Sequence, residues 1–386
     1  MIELDCSVGE GGGGILRAAL PLSMVLQFPI HFTRFRIGRP EKGIGWPHKW
    51  LVDGICRWTK SRAKNIELGE SDFVFEPGSL NFSGSQTWNF DDPGVTSESL
   101  NVSVVRKYDE ASDNFLQPMN NIGGKAVRGH SIVTPLLAII PIMLHSKQHC
   151  ITANMIGGTE TPGAPFIDAL QFYFMVPLKE IGASVSLKVH KRGCIGIGGG
   201  RVQVDAAPAT KLLPFQQIPN TDGTNKPSLS VFMYIYGSPK YHEEALDKYS
   251  LFIEKLSCFL GININISYTF IPYVVNKYQQ LFILRNGASA RDISICFEEI
   301  EETERANFGM SLVSRRLEKE LQYSHLMSRF AVEQFLPVAA TIPETSTFLT
   351  DGITDHAQSI IDVVATISGR KVRIEKLPSF GFQITV

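Results

Sequence analysis

A run of glycines near the start of the chain is the first place where residue types and spacing could do chemistry. The stretch from Gly9 to Gly14 contains five glycines and one acid, and it lies between a strand pattern and a helix pattern. Glycines let backbone amides approach a phosphate closely, and the N-terminus of the following helix adds a favourable dipole. No Gly-Lys-Ser/Thr sequence of the P-loop type follows. Two interpretations remain, a nucleotide cradle and a structural glycine turn.

Glu10 is an unusual residue to find inside a phosphate cradle. A carboxylate beside bound phosphates would be repelled unless a divalent cation lay between them, since such cations take oxygen ligands. Glu10 is therefore a candidate contact for a divalent metal ion. The alternative is a solvated loop acid.

His356 is the histidine whose surroundings favour nucleophilic chemistry. It stands at the beginning of a helix pattern that Thr354 or Asp355 could cap. Near the positive end of a helix an imidazole is biased toward its neutral form, whose free nitrogen can attack phosphorus. On spacing alone, an ordinary capped surface histidine is the competing interpretation. His145 and His149 have a metal-compatible spacing but no acidic partner.

Positive charge is concentrated between His31 and Lys64, where nine lysines and arginines stand against two acids. The whole chain has a formal net charge of only −1. A local basic stretch attracts phosphate even when the rest of the molecule is neutral. A plain solvated face is the alternative interpretation.

The elements that must position these residues recur in one order: strand, helix, strand, helix, strand, strand. Three passes of this order predict an α/β (α+β) fold of three repeated β-α-β-α-β-β units packed together, with a small inserted α/β domain. The second pass is predicted to begin with a strand at 101–106. The third is predicted to begin with a strand at 292–297, followed by a helix at 309–338. The large domain is predicted to comprise residues 1–205 and 281–386, and the inserted domain residues 206–280.

Unusual residues fall at the same strand-to-helix junction of each pass, in segments 36–48, 157–168 and 350–356. Loops positioned by a rigid scaffold are where functional residues concentrate. The three junctions therefore predict one composite site at one edge of the assembly.

Composition sets limits on the class of protein. The six cysteines contain no C-x-x-C pair, which argues against a zinc site and a disulfide framework. The longest apolar run, 131–144, is too short to span a bilayer, and the N-terminus does not resemble a signal peptide. We therefore expect an intracellular protein without a membrane partner, nuclear if eukaryotic and otherwise cytoplasmic.

Taken together, these segments resemble the RNA 3′-terminal phosphate cyclase family. The resemblance covers nearly the whole chain in the same order, and the matching pieces are Gly9–Arg17, Arg36-x-Gly-Arg39 with His48, Gly157–Asp168, Arg192-Gly193 with Gly198–Gly200, and the His356 helix. That family has three repeated units resembling the C-terminal domain of a translation initiation factor, with a small inserted α/β domain. The expected fold agrees with the three passes.

The resemblance also implies an activity. It is the ATP-dependent conversion of an RNA 3′-terminal phosphate to a 2′,3′-cyclic phosphodiester through a covalent histidine-AMP intermediate, a ligase reaction. His356 would be the nucleophile, and Glu10 would lie near ATP phosphates and Mg²⁺ or Mn²⁺. The residues implied in nucleotide or phosphate binding are Gly11, Gly12, Gly13, Arg17, Arg36, Arg39, His48, Glu333 and Gln334.

The implied partner is RNA with a 3′-phosphate end, with RNA-processing proteins as further candidates. The basic stretch from Arg34 to Lys49 is then predicted to be the RNA-phosphate surface. The chain departs from the family's usual residues at Gly14, Trp46, Pro47 and Arg201.

Two other functions compete with this prediction. One is a non-catalytic cyclase-like protein that acts in ribosomal RNA processing and ribosome biogenesis. That branch lacks the glycine run and the nucleophilic histidine, both of which this chain retains. The other is a carboxyvinyl transferase, disfavoured because those enzymes use more of the repeat units.

Overall fold

The computed structural model describes residues 1–9, 11–91, 108–109, 114–115, 129–148, 150–161, 164–193, 198–209, 211–217, 228–237, 239–272, 278–286, 294–299, 327–378 and 381–386. The chain divides into two compact units. The first comprises Met1–Val102, Asn120–Gln217 and Arg329–Val386, and the second comprises Ser103–Met119 and Ile218–Ser328. Among the described residues, no helix is both long and apolar enough to cross a membrane.

The first repeat follows the predicted order of elements. They are β1 (Ile2–Asp5), α1 (Gly14–Leu26), β2 (Ile30–Thr33), α2 (Trp46–Thr59), β3 (Arg62–Lys64) and β4 (Phe73–Glu76). The strands form a sheet in the order β1-β2-β4-β3, in which only β1 and β2 run parallel. Alternating apolar residues place one face of β2 and β4 in the core, where Phe32 and Phe73 stack with ring centroids 4.5 Å apart.

The second repeat opens with β5 (Gly84–Asn89), so another strand takes the place predicted for residues 101–106, which lie outside the described residues. β5 pairs in parallel with a later strand, from Gly84 opposite Ile151 to Asn89 opposite Ile156. Its sequence, GSQTWN, buries only Trp88, so hydrophobic alternation barely marks it. A short hairpin follows, formed by β6 (Tyr108–Asp109) and β7 (Asn114–Phe115) within the second compact unit.

The rest of the second repeat matches the first. Its elements are α3 (Val133–Leu144), β8 (Ile151–Gly157), α4 (Ile167–Ala169), a π-helical turn (Leu170–Phe174), α5 (Met175–Glu180), β9 (Ser184–Lys191) and β10 (Gly200–Ala207). The sheet order is β5-β8-β10-β9, again with only the first two strands parallel.

The second compact unit has a sheet of its own. It contains β11 (Ser228–Gly237), α6 (Pro239–Leu260), β12 (Ile264–Pro272), β13 (Tyr278–Asn286) and β14 (Ser294–Glu299), with strand order β12-β11-β13-β14. The prediction that a strand at 292–297 opens the third repeat is therefore wrong. The strand in this place is β14, which pairs antiparallel with β13, its neighbour along the chain, in the sheet of the second compact unit. The predicted limits of the inserted domain, 206–280, differ from this unit at both ends.

The third repeat takes its first strand from a segment that the sequence did not indicate. Gln216 forms a parallel bridge with Thr347, and the Thr347 amide donates to the carbonyl of Phe215 at 2.7 Å. The elements that follow are α7 (Arg329–Ala339), β15 (Thr347–Thr350), α8 (Asp355–Ser368), β16 (Arg373–Lys376) and β17 (Phe382–Thr385), with strand order β15-β17-β16. The segment Ile218–Ser328 of the second compact unit is thus inserted between the first strand and the first helix of this repeat.

Helix α1 lies among the helices of all three repeats, in contact with α3, α7 and α8. Every residue from Ile15 to Met24 is buried, as expected for a helix surrounded on all sides. Burying each large apolar side chain stabilises the fold by about 1.5–3 kcal/mol. The glycine run at the N-terminus of α1 therefore lies where the repeats meet. The predicted α+β fold of three repeats is confirmed. Of the helix predicted at 309–338, only the part from Met327 onward lies within the described residues.

Candidate active site

Arg17 is a buried cation one helical turn into α1. Its side chain is 7% exposed, and its terminal nitrogen lies 3.9 Å from Oε1 of Glu333, whose side chain is 9% exposed. This separation is too long for a hydrogen bond. Burial lowers the pKa of Arg17, while Glu333 acts in the opposite direction. A desolvated guanidinium held this loosely by its carboxylate is suited to bind a further anion.

Thr354 connects Glu333 to the beginning of α8. Its hydroxyl oxygen accepts a hydrogen bond from the Ala357 amide at 2.9 Å, so Thr354, and not Asp355, is the capping residue. The same hydroxyl donates to Oε2 of Glu333 at 2.8 Å. The cap therefore fixes the first turn of α8 against α7, and His356 lies in that turn.

His356 lies against the glycine run. A Cβ atom built on Gly14 would be 3.5 Å from Nδ1 of His356 and 3.9 Å from a terminal nitrogen of Arg17. His356 is exposed at the beginning of α8, yet desolvation by the atoms around its ring is the main cause that lowers its pKa. Arg17 and Arg39 lower this pKa further, whereas Glu333 and Asp355 oppose the change. The imidazole is therefore neutral near pH 7, the form in which a ring nitrogen is nucleophilic.

Gly11, Gly12 and Gly13 line the approach to this histidine. Gly11 and Gly12 are buried, and Gly13 is the N-cap residue of α1. A Cβ atom on Gly13 would lie 2.7 Å from Nε2 of His48, so a side chain at this position would displace the imidazole. The glycine run thus passes between two histidines, one from the first repeat and one from the third.

His48 is held as a neutral hydrogen-bond donor. Its Nδ1 accepts the Gly45 amide at 3.0 Å, which leaves the proton of the neutral ring on Nε2, the atom that faces Gly13. Burial, together with Arg36 and His130, lowers the pKa of His48 to about 3. The ring also packs edge-on against Phe35, with centroids 5.3 Å apart.

Arg36 and Arg39 occupy the loop between β2 and α2. Arg36 donates to the carbonyl of Gly43 at 3.1 Å, and burial lowers the pKa of both guanidinium groups. The positive charge of Arg39 also lowers the pKa of His356. Two of the predicted junctions, those of the first and third repeats, therefore meet around the glycine run.

Comparison with known proteins gives the same family that the motifs indicated. The model of the RNA 3′-terminal phosphate cyclase family matches residues 8–374. The chain belongs to this family. Similar relatives are the RNA 3′-terminal phosphate cyclases of Sulfolobus acidocaldarius and Sulfurisphaera tokodaii, each 28% identical over 204 residues, or 53% of this chain and 49% of theirs. That of Ignicoccus hospitalis is 28% identical over 218 residues, or 56% and 51%. The alignments thus span about half the length of these relatives.

The second repeat of this cyclase-family chain was predicted to contribute segment 157–168 to the composite site, but two carboxylates of that segment bind an arginine of the same repeat. Glu160 and Asp168, from the segment 157–168, bind Arg192: both terminal nitrogens of Arg192 donate to Asp168 at 2.9 Å, and one also donates to Glu160. The Thr159 hydroxyl donates to the other Glu160 oxygen at 2.7 Å. This junction therefore forms a paired cluster of charges, and the composite site predicted from three junctions stays a prediction for the second one.

His130 is the second repeat's contribution to the site, and no sequence pattern indicated it. Its carbonyl accepts the Gly158 amide at 2.8 Å, which ties it to the end of β8. The residue before it, Gly129, donates to Asp91 at 2.7 Å, and Asp91 also accepts the Gly199 amide at 2.6 Å. Asp91 thus positions the turn from which His130 reaches toward His48.

Two further predicted residues have different outcomes. Gln334 is buried on α7, directly after Glu333. Its Oε1 has no hydrogen-bond partner among the described residues. Glu10 lies outside the described residues. Within the described ranges, no three His, Cys, Asp or Glu side chains are grouped to hold a metal ion.

The two ends of the predicted RNA surface are paired with carboxylates. Arg34 binds Asp5, and the ammonium group of Lys49 lies 3.3 Å from Glu67. Arg36 lowers the pKa of His48 and Arg39 lowers the pKa of His356, so these two cations in the middle of the stretch lie close to the two histidines.

Proposed function

We propose that this protein converts an RNA 3′-terminal phosphate to a 2′,3′-cyclic phosphodiester at the expense of ATP, through AMP bound covalently to His356. The observation that carries the proposal is the neutral, exposed imidazole of His356 beside the loosely paired guanidinium of Arg17 and the Gly14 backbone. Phosphoryl transfer depends on positioned cations and an aligned nucleophile. These are the features that the described residues offer.

The proposed reaction consists of three successive displacements at phosphorus. A nitrogen of His356 bonds to the α-phosphorus of ATP, and pyrophosphate leaves. An oxygen of the RNA 3′-phosphate then attacks that phosphorus, and the phosphorus–nitrogen bond breaks, which frees the histidine. Finally, the neighbouring 2′-hydroxyl loses its proton and attacks the 3′-phosphorus, and AMP leaves with the bridging oxygen.

The chain's own residues would act as fixed charges and donors. Arg17 and Arg39 flank His356 and would stabilise negative charge that develops on phosphate oxygens there. Nε2 of His48, protonated because Nδ1 is occupied, would donate to a phosphate beside Gly13. Arg36 would add positive charge behind His48.

A divalent cation would fit this arrangement. Mg²⁺ bound to nucleotide phosphates takes only one or two protein carboxylates, and Mn²⁺ accepts oxygen ligands as well. We assign that contact to Glu10, because Glu333 already interacts with Thr354 and Arg17. When bound, the cation would neutralise charge on the phosphates.

The test incubates the purified protein with labelled ATP, Mg²⁺ and an oligoribonucleotide bearing a 3′-phosphate. The proposal requires both a protein-AMP adduct and a cyclic RNA end. His356→Asn should yield neither. The matched control His190→Asn alters an exposed histidine of β9 and should yield both. A folded parent that takes up no label and makes no cyclic end would favour the non-catalytic role in ribosomal RNA processing.

A further inference from the structure

An aromatic cluster lies at the N-terminal end of α2. Trp46 and Trp50 have ring centroids 5.7 Å apart with planes at 34°, and Trp50 packs edge-on against His130, also at 5.7 Å. Below them, Phe90 packs edge-on against Trp50 at 6.0 Å. We call Trp46, Trp50 and His130 the aromatic shelf.

The shelf reaches the protein surface, although its base is in the core. Phe90 is fully buried, whereas each of the three shelf residues is only partly buried. Trp58, near the other end of the same helix, is partly buried as well, but its ring packs on Phe82 and Trp88 and its indole nitrogen is buried. It lies outside the shelf and therefore provides a control tryptophan on the same helix.

The shelf is continuous with the candidate active site. Gly45 precedes Trp46 directly and donates its amide to His48. His130 is close enough to His48 to lower the pKa of that imidazole. A Cβ atom on Gly45 would lie 3.6 Å from a terminal nitrogen of Arg36. Aromatic surface, a neutral histidine donor and a guanidinium thus follow one another along a single edge.

We infer that the aromatic shelf stacks the terminal nucleobase of the RNA whose 3′-phosphate enters the site, an inference that rests on the proposed function. Proteins recognise single-stranded RNA ends by splaying bases onto aromatic side chains. The partner is RNA and not the adenine of ATP because the shelf adjoins His48 and Arg36. The nucleophile His356 and its neighbour Arg17 lie on the other side of the glycine run, where ATP would react. The exposed Lys42 and the partly buried Arg39 belong to the loop that leads to Trp46, and their positive charge suits a polyanion.

The expected contribution can be measured as a ratio of dissociation constants. Stacking of one base on an aromatic side chain changes affinity by between about 5-fold and about 150-fold. An oligoribonucleotide that ends in an ordinary nucleoside 3′-phosphate should therefore bind more tightly, by a factor in this range, than one that ends in an abasic ribose 3′-phosphate.

The experiment compares these two oligonucleotides on four proteins by fluorescence anisotropy: parent, Trp46→Ala, Trp46→Phe and the matched control Trp58→Phe. We expect the preference for the base in the parent, its loss in Trp46→Ala, its retention in Trp46→Phe, and no change in Trp58→Phe. Quenching of tryptophan emission by the base-bearing oligonucleotide in Trp58→Phe gives a second measurement with the shelf intact, should Trp46→Ala fold poorly.

Other outcomes overturn the inference. Absence of a base preference in the parent, or an unchanged preference in folded Trp46→Ala, means that the shelf does not stack the RNA base. A higher ATP requirement for labelling in Trp46→Ala, with RNA preference intact, would assign the shelf to adenine. A parent that keeps a Trp46-dependent base preference but forms neither protein-AMP nor a cyclic end would support the shelf and refute the cyclase reaction.

Discussion

Arg192 and Arg17 are two shielded guanidinium groups in the same compact unit, and they are paired in opposite ways. Arg192 donates to both oxygens of Asp168 at 2.9 Å and also to Glu160. Arg17 has its carboxylate partner, Glu333, at 3.9 Å, and that carboxylate accepts instead from Thr354. We infer that a fully paired guanidinium group stabilises the backbone around it, whereas a loosely paired guanidinium group can still bind an anionic ligand.

The local architecture agrees with this distinction. Glu160 is fully buried, and the segment around it is joined to the chain at Gly193, whose carbonyl accepts the Thr159 amide at 2.7 Å and whose amide donates to the Thr159 hydroxyl oxygen at 3.0 Å. Arg192 therefore fastens the β8–α4 junction to the end of β9. Arg17 instead shares its surroundings with His356 and Gly14, which are the parts of the proposed reaction centre.

The largest expected effect is on catalysis, from Arg17→Gln. Loss of a cation that stabilises a transferring phosphoryl group costs about 10³-fold or more in rate. We therefore expect adenylation, followed in single-turnover labelling with ATP, to fall at least that far. The free energy of unfolding should change by only about 1 kcal/mol, because the Arg17–Glu333 pair is long. A variant that is labelled normally would show that Arg17 is a structural cation.

Arg192→Gln should have the opposite effect, a large loss of stability with little loss of adenylation activity. Removing one partner of a buried ion pair costs about 3–5 kcal/mol, because the carboxylates of Glu160 and Asp168 would be left without their cation. Urea unfolding measures this loss, and labelling per folded molecule at low temperature should stay near that of the parent. If the two arginine variants lose equal stability and equal activity, the comparison between the clusters fails.

Thr354→Val tests the link between the cap and Glu333. Loss of a helix N-cap lowers the free energy of unfolding by about 1 kcal/mol, and Glu333 would lose its hydrogen bond as well. We expect a modest loss of stability together with slower adenylation. Thr354→Ser keeps the hydroxyl and is the matched control, and equal behaviour of the two variants would contradict the assignment.

The smallest effects are on pH dependence. Arg39 lowers the pKa of His356, so Arg39→Gln should raise it and move the acid limb of the adenylation rate to higher pH. Glu333 raises the same pKa, so Glu333→Gln should move that limb to lower pH. Single-turnover rates across a pH series measure both shifts. Shifts of the same sign in the two variants would show that another group controls the profile.

Local patterns were sufficient to predict much of the fold. The helix predicted to begin at His356, with Thr354 or Asp355 as its cap, is observed at Asp355–Ser368, because a cap and regular apolar spacing mark it. The first strands of the second and third repeats were missed. β5 is largely polar, and Phe215–Gln217 is a strand only through its pairing with β15, more than a hundred residues later in the chain. Such pairing is a long-range property that periodicity does not encode.

The same reason limited the prediction of the site. The proximity of His356, Arg17 and the glycine run follows from repeat topology, so the motifs could place them at one edge. Nothing local distinguishes His130 from other histidines, because its position depends on Asp91 accepting two distant backbone amides. The role of Glu160 was also hidden, since its partner Arg192 lies on another strand end.

In the proposed reaction His356 carries the nucleotide, and finding which residue holds the AMP is the most direct test of this assignment. The parent protein would be incubated with labelled ATP and Mg²⁺, digested, and its peptides analysed by mass spectrometry. We expect AMP on the peptide that contains His356, through a phosphorus–nitrogen bond that is labile in acid and stable in alkali. AMP on any other residue, or a bond that is stable in acid and labile in alkali, would contradict it.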